Sequence, residues 1–448
     1  MRKALSIKKG LDLRLRGAIG TYNAVGAKSL EPRRVAVVPD DYPGLRLKSD
    51  VREGDGIEAG APLLHDKLHP EIKIVSPARG RVEAVVRGER RKIERIVVAV
   101  DTDNTDAGKT AVTVKSDTPE DIKRTLMNTG LWAMMRQRPF DIVADADVIP
   151  RDIFVTGLDT APLAPSLDQL AEGRSDDLRR GVSVLRKLTT GSVYVSGRHL
   201  PDIEGAFMVD VSGPHPSGNA GTIIANLAPV NKGETVWTLD ILTLARIGRL
   251  YNKCVADYTT PVAVTGPEVI TPQLVKTLIG SEIRIMTDGN IRHDGHSHRI
   301  ISGNVLTGEK VGADGFLRYP WRQITVISEG NDADEFMGWA SMSPSKMSMS
   351  RSFPGRFMPH RLFSPDARLL GGRRAMIMSG VYDKFMPMDI LPEYLIKAIM
   401  ARDIEKMEAL GIYEVAPEDF ALAEFADPSK LELQKIVREG LDWLRKEL

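Results

Sequence analysis

A multidomain chain of mixed α+β and α/β class is what the sequence predicts, and three observations lead there. Its 448 residues exceed what one ordinary hydrophobic core organises. Short period-two runs broken by Gly and Pro fill residues 33–100, after which strands alternate with helical spacing to about residue 254. A tail from 390 to 448 sets Leu, Ile and Met at helical period between charges. These shifts place boundaries at 1–110, 111–258, 259–330, 331–385 and 386–448.

The first unit reads as an all-β domain behind an N-terminal extension. Its strands are Arg34-Val35-Ala36-Val37-Val38, Ile72-Lys73-Ile74-Val75 and Gly80-Arg81-Val82-Glu83-Ala84-Val85, with a Glu53-Gly54-Asp55 turn between the first two. That order resembles the biotinyl/lipoyl-like barrel-sandwich, whose carrier members modify a hairpin lysine. Lys67 stands near that place, but the stretch to Gly80 is about two residues too long and Leu68-His69-Pro70 matches poorly, so Lys67 is expected to stay unmodified. The basic run from Arg87 to Lys92 reads as a solvated hairpin tip.

In the α/β unit, helical spacing runs over 121–127 and 178–188, and 152–156 and 192–196 read as buried strands of a mostly parallel sheet. Residues 261–327 return to β pattern around one expected short helix at 272–278. A linker rich in Met, Ser and Pro covers 331–359, and a helical cap closes the chain.

Lys and Arg number 61 against 60 Asp and Glu, so the charge of +1 supplies no long-range attraction to nucleic acid or an anionic bilayer. The single cysteine, Cys254, excludes an internal disulfide and a four-thiolate iron–sulfur cluster; its apolar surroundings suggest an inert, half-buried thiol. The N-terminus is charged throughout and lacks the apolar core of a signal peptide. The best membrane-span candidate, 377–399, is broken by Asp383, Lys384, Asp389 and Glu393, so membrane association is expected through a partner.

No phosphate-cradling loop stands out. The helix opening expected near Asn128-Thr129-Gly130-Leu131-Trp132 carries bulky residues where a nucleotide needs room, and the glycines of 213–221 are interrupted by Pro214 and Pro216. His293, His296 and His298 form a metal-like spacing, but their Gly- and Asp-bearing turn reads as a polar hairpin, and no metal is expected. The linker carries Met337, Trp339, Met342, Met347, Met349, Phe353, Phe357 and Met358. Thioethers with aromatics make an adaptable apolar surface, either packed on the α/β unit or facing a partner or an isoprenoid-like ligand.

Four segments carry a family resemblance: Ile7-Lys8-Lys9-Gly10-Leu11-Asp12-Leu13, Val209-Asp210-Val211-Ser212-Gly213-Pro214-His215-Pro216, Arg299-Ile300-Ile301-Ser302-Gly303-Asn304-Val305-Leu306-Thr307-Gly308 and Met386-Pro387-Met388-Asp389-Ile390-Leu391-Pro392. Together, in order across nearly the whole chain, they resemble the NqrA family, one component of the Na+-translocating NADH:quinone reductase (NQR) complex. The resemblance implies a six-subunit inner-membrane complex that passes electrons from NADH to ubiquinone while exporting Na+. This chain would be a peripheral, cytoplasm-facing member, meeting five other subunits and docked chiefly on the membrane-embedded NqrB component. NADH, flavins and iron–sulfur would lie on other subunits, with ubiquinone as substrate of the complex. It further implies a fold similar to the flavin-binding subunit of respiratory NADH dehydrogenase, with a Rossmann-like α/β domain and a β-grasp soluble-ligand-binding (SLBB-like) domain over 259–330.

Against that flavin-binding relative, the glycine-rich flavin loop corresponds here to the filled Gly130-Leu131-Trp132, and its cluster cysteines have no counterpart around residues 425–429. The expectation is a chain without a redox centre of its own, whose quinone or partner surface is Met337, Trp339, Met347, Met349, Phe353, Phe357 and Met358. Two rivals are a ligand-binding scaffold for saccharide- or cobalamin-like molecules and an active flavin-bearing component of an NADH dehydrogenase. The missing glycine loop and cysteines weigh against the second, and the missing signal peptide against secreted scaffolds.

Overall fold

In a computed structural model of the chain, the described residues are 1–20, 26–101, 108–198, 200–331, 347, 357–358 and 360–448. The strand segments resolve into three separate folding patterns. Between 34 and 100, a four-stranded antiparallel sheet (Arg34–Val37, Ile93–Val100, Gly80–Arg87, Gly56–Ile57) faces a three-stranded one (Leu47–Ser49, Pro62–Asp66, Lys73–Val75). Val35, Leu63, Ile74, Val82, Ile96 and Val98 fill the space between them. The basic run forms the exposed tip between Gly80–Arg87 and Ile93–Val100.

The central sheet has seven strands in the order Arg2–Ser6, Phe207–Ser212, Val193–Gly197, Ile153–Thr156, Val236–Asp240, Arg136–Arg138, Ile142–Val143. The first five run parallel, Arg136–Arg138 pairs antiparallel with Val236–Asp240, and Ile142–Val143 pairs antiparallel with Arg136–Arg138. Alternation along Ile153–Thr156 covers both faces. Ile153 and Val155 share a cluster with Val182, Leu185, Leu244 and Ile247 of the helices Ser175–Leu185 and Ile241–Lys253, whereas Phe154 packs with Ile223 and Ile224 of Ala220–Leu227. Trp132 and Trp237 meet edge to face with centroids 5.1 Å apart beneath the antiparallel margin.

The third sheet runs Lys28–Ser29, Gln273–Leu278, Thr259–Thr265, Gln323–Ser328, His298–Ser302, Glu309–Val311, over a core of Val262, Val264, Val275, Ile300, Ile324 and Val326. The last region holds Pro392–Ala401, Ile404–Ala409, Ala421–Ala426 and Leu433–Glu447, packed through Leu395, Ile399, Val437 and Leu441.

Several sequence expectations change. The N-terminal extension does not attach to the β domain that follows it: Arg2–Ser6 completes the central sheet, and Lys28–Ser29 joins the third sheet. Residues 273–278 form a strand, not a helix, because Thr259–Thr265 pairs with them over six positions and their Val and Thr suit a pleated surface. No helix opens at Asn128; Pro119–Asn128 ends there and Gly130 turns with φ +71°. Cys254 is exposed, since it caps Ile241–Lys253 in the left-handed region and its side chain leaves the helix toward solvent.

The first domain is fastened to its neighbours by a buried seam. Arg318 Nε donates to Asp41 Oδ1 at 2.7 Å, the Tyr319 N–H donates to Asp41 Oδ2 at 2.9 Å, and Tyr319 stacks on Tyr42 at 5.7 Å. Burial pushes the Asp41 carboxyl up to about 6 even though Arg318 pulls the other way. Arg318→Ala should therefore strand a buried carboxylate and cost roughly 3–5 kcal/mol at neutral pH. Urea melts should show a smaller loss at about pH 5 than at about pH 8, because protonated Asp41 needs no counter-ion.

Candidate functional site

A parallel sheet whose chain order reverses direction opens a crevice beyond its carboxyl ends, where α/β proteins place ligands. Here the reversal lies between Ile153–Thr156, which leads toward Val193–Gly197 on one side, and Val236–Asp240 on the other. The segments over that edge are 157–164, 213–219 and the start of Ile241–Lys253.

Each is occupied by the chain itself. Asp240 caps the helix by accepting from the Leu242 and Thr243 N–H groups at 2.8 and 2.9 Å, and Arg322 of the third domain donates to both its oxygens at 2.7 Å. Burial opposes the charge, but Arg322 and the Thr243 N–H outweigh it and hold the Asp240 carboxyl below its ordinary range. Gln323 follows with a side-chain N–H to the Pro162 carbonyl at 3.1 Å.

The 213–219 loop is laced to the N-terminal segment. Ile7 N–H donates to the Ser212 carbonyl, Leu11 N–H to the His215 carbonyl, and His215 N–H to Asp12 Oδ1, all at 2.8–2.9 Å. Gly213, at φ +132°, is required because a Cβ there would sit 2.2 Å from the Ile7 carbonyl oxygen. The Gly218 N–H donates to Thr160 Oγ1 at 3.1 Å, and the same hydroxyl shares a hydrogen bond with His215 Nδ1 at 3.2 Å. His215 is buried, and burial, partly offset by Asp12, pushes its imidazole down to about 4.

Beside the first turn of Ala220–Leu227 lies a carboxylate of the C-terminal region. A Cβ on Gly221 would lie 2.5 Å from Asp419 Oδ2, so the glycine makes room for Asp419 of the C-terminal region. Asp419 also accepts from the Ala416 N–H at 2.8 Å and from buried Arg138 at 3.3 Å, while Glu418 takes another Arg138 nitrogen at 3.2 Å. Burial holds both carboxyls above their usual range, with Asp419 adding to the rise at Glu418 and Asp141 to that at Asp419, while Arg138 pulls both back. The Gly130-Leu131-Trp132 turn is filled likewise: Leu131 and Trp132 are fully buried, and Trp132 Nε1 donates to the Ala144 carbonyl at 2.8 Å. The residues present do not fit a flavin or nucleotide at this edge.

Of the surface residues expected from the sequence, Met347 is half-buried against Leu13, Leu15 and Phe363, while Phe357 and Met358 are 77% and 40% exposed. Met337, Trp339, Met342, Met349 and Phe353 lie outside the described residues. The three histidines do not converge on one point: His298 turns to the Arg292 carbonyl at 2.8 Å, and His293 and His296 stay on the exposed turn. Sequence reasoning misses Asp240, Arg322, His215, Arg138 and Asp419. Among them only Asp240 has a local signal, as an acceptor residue directly before a helical run.

Comparison with known proteins gives the family. Residues 5–101 match the NqrA N-terminal barrel-sandwich hybrid domain, 117–255 the NqrA second alpha/beta domain and 261–313 the NQRA C-terminal domain. The corresponding NqrA protein of the Na(+)-translocating NADH-quinone reductase from Neisseria meningitidis serogroup B is 34% identical over 99% of this chain and 100% of its own length. The chain belongs to the NqrA family of the Na+-translocating NADH-quinone reductases. The family member of Rhodopirellula baltica is 36% identical over 98% of both chains, and that of Pasteurella multocida 33% over 99% of this chain and 100% of its own length. A chain of a NAD+-reducing [NiFe]-hydrogenase aligns with a TM-score of 0.39 and 12% identity over 72% of this chain and 60% of that one.

His215 gives this edge a pH signature. Its folded pKa lies below the ordinary 6.5 of a histidine, so its contribution to stability is complete above about 6.5 and is lost as pH falls toward about 4. At about 1.4 kcal/mol per unit, the loss amounts to roughly 3 kcal/mol. Melting temperatures of His215→Gln should lack this part of the acid slope; an unchanged slope would mean that other groups set it.

Proposed function

We propose that this chain is the peripheral subunit through which a Na+-pumping NADH:ubiquinone oxidoreductase shapes its quinone end, with no redox centre of its own. The single observation that carries this is the end-to-end match to NqrA relatives at 33–36% identity. The α/β unit is on this reading a Rossmann-like domain that has lost its ligand, and the third unit a β-grasp domain. NADH, flavins and iron–sulfur belong to the other five subunits, and the chain sits on the cytoplasmic side of the inner membrane against NqrB. In support, no helix among the described residues is long and apolar enough to cross a membrane.

A quinone headgroup needs a few polar contacts and its tail an adaptable apolar surface. The linker and the segment after it supply the latter: Phe357, Met358, Leu362, Leu369, Ile377 and Met378 all expose substantial apolar area. The residues 337–358 and this continuation are assigned to the face that meets NqrB and the quinone.

Two experiments test the reading. Purified alone, the chain should be colourless and should not oxidise NADH; one flavin per chain retained through gel filtration would favour the dehydrogenase rival. In the assembled complex, Phe357→Asp combined with Met358→Asp should lower quinone reduction about tenfold or prevent assembly, because both changes place charge on an apolar contact. The isolated variant should melt as the parent does, since both side chains are exposed. Normal assembly with normal quinone reduction would make this segment a spectator.

A further inference from the structure

The hairpin of the first domain between Pro62–Asp66 and Lys73–Val75 is the place where carrier proteins of similar fold hold a mobile arm, and here its tip is built to stay still. Buried Asp66 accepts from the backbone N–H groups of Arg46, Leu68 and His69 at 2.6, 3.3 and 3.1 Å, fixing the turn that presents His69. The tip faces a loop of the α/β unit that is fixed as firmly. The Asp145 N–H donates to Gln137 Oε1 at 2.8 Å, the Asp147 N–H to Asp145 Oδ1 at 2.9 Å, and Lys123 Nζ to the Ala146 carbonyl at 2.7 Å.

Across this seam one ligand atom from each of His69, Asp145 and Asp147 lies within 4.8 Å of the others. His69 Nε2 stands 4.0 Å from Asp147 Oδ2. That is too far for a hydrogen bond, which closes at about 3.2 Å, and about half an ångström wider than the roughly 3.4 Å between two ligands that each lie about 2.1 Å from a tetrahedral ion, so an ion entering here would draw the two side chains together. The other ring nitrogen, Nδ1, points toward Glu71 Oε1 at 3.6 Å. At that distance Glu71 makes no hydrogen bond to the ring, but it places a further carboxylate beside the imidazole.

We propose that His69, Asp145 and Asp147 form a divalent-cation site that clasps the hairpin tip to the α/β unit. The imidazole selects a transition-series ion of the Zn2+ class over Mg2+ or Ca2+, with water completing the coordination. Asp145, Asp147 and Glu71 supply three negative charges; the nearby cation, Lys123, is engaged by the Ala146 carbonyl. The role is structural and redox-inert, and it stands apart from the quinone face.

The test is Zn2+ titration of the metal-free full chain by calorimetry. One Zn2+ should bind, and it should raise the melting temperature. His69→Ala and the near-isosteric Asp145→Asn should each weaken binding at least about tenfold and abolish the thermal shift, with circular dichroism confirming that both fold. His293→Ala combined with His296→Ala and His298→Ala should leave the titration unchanged. The proposal is overturned if Zn2+ binding survives in both His69→Ala and Asp145→Asn, if it disappears in the triple variant instead, or if no Zn2+ binds below about millimolar concentration.

Discussion

Asp240 is the residue on which the arrangement of domains turns. It ends a strand of the central sheet, caps the helix Ile241–Lys253 and neutralises Arg322 of the third domain, all with two oxygens. Because those demands are satisfied together, strand, helix and neighbouring domain are fixed relative to one another by a single carboxylate. Arg322 also donates to Thr260 Oγ1 at 3.0 Å, so the opposite side of the pair is held within the third sheet itself. The seam through Asp41 and Arg318 repeats the logic for the first domain, and the three β-rich units become one body.

That rigidity bears on the crevice at the sheet edge, which the described residues crowd with their own side chains. In α/β proteins the helix N-terminus beyond such an edge attracts phosphate. Here Asp419, an acid already attached to the chain, packs against the first turn of Ala220–Leu227, and Gly221 is the concession that lets it approach. Arg138 then compensates buried Asp419 and half-exposed Glu418. The C-terminal region thus closes the crevice at this edge of the sheet.

How much of this is legible in the sequence depends on the separation of the partners along the chain. The helix Ser175–Leu185 and the strands Ile153–Thr156 and Val193–Gly197 carry their own period and can be read directly. Residues 273–278 mislead because Leu274, Val275 and Leu278 suit a helical face as well as a strand, and only pairing with Thr259–Thr265 decides between them. The filled turn at Trp132 is visible as side-chain bulk. Arg138 with Asp419, and His69 with Asp145, are invisible, since neither pair has a local pattern and each is made by folding alone.

During synthesis the strand Arg2–Ser6 meets a problem of timing. Its hydrogen-bonding partner is Phe207–Ser212, and the segment behind it ties into the 213–215 backbone and, through Arg16, to Phe363. On a ribosome that releases residues from the N-terminus onward, this stretch must wait, unpaired, while the β domain at 34–100 forms between it and its destination. A strand with open edges is then exposed for the time it takes to make about two hundred further residues. Its composition suits the delay: Arg2, Lys3, Lys8 and Lys9 keep the waiting edge charged and discourage it from pairing with a second nascent chain.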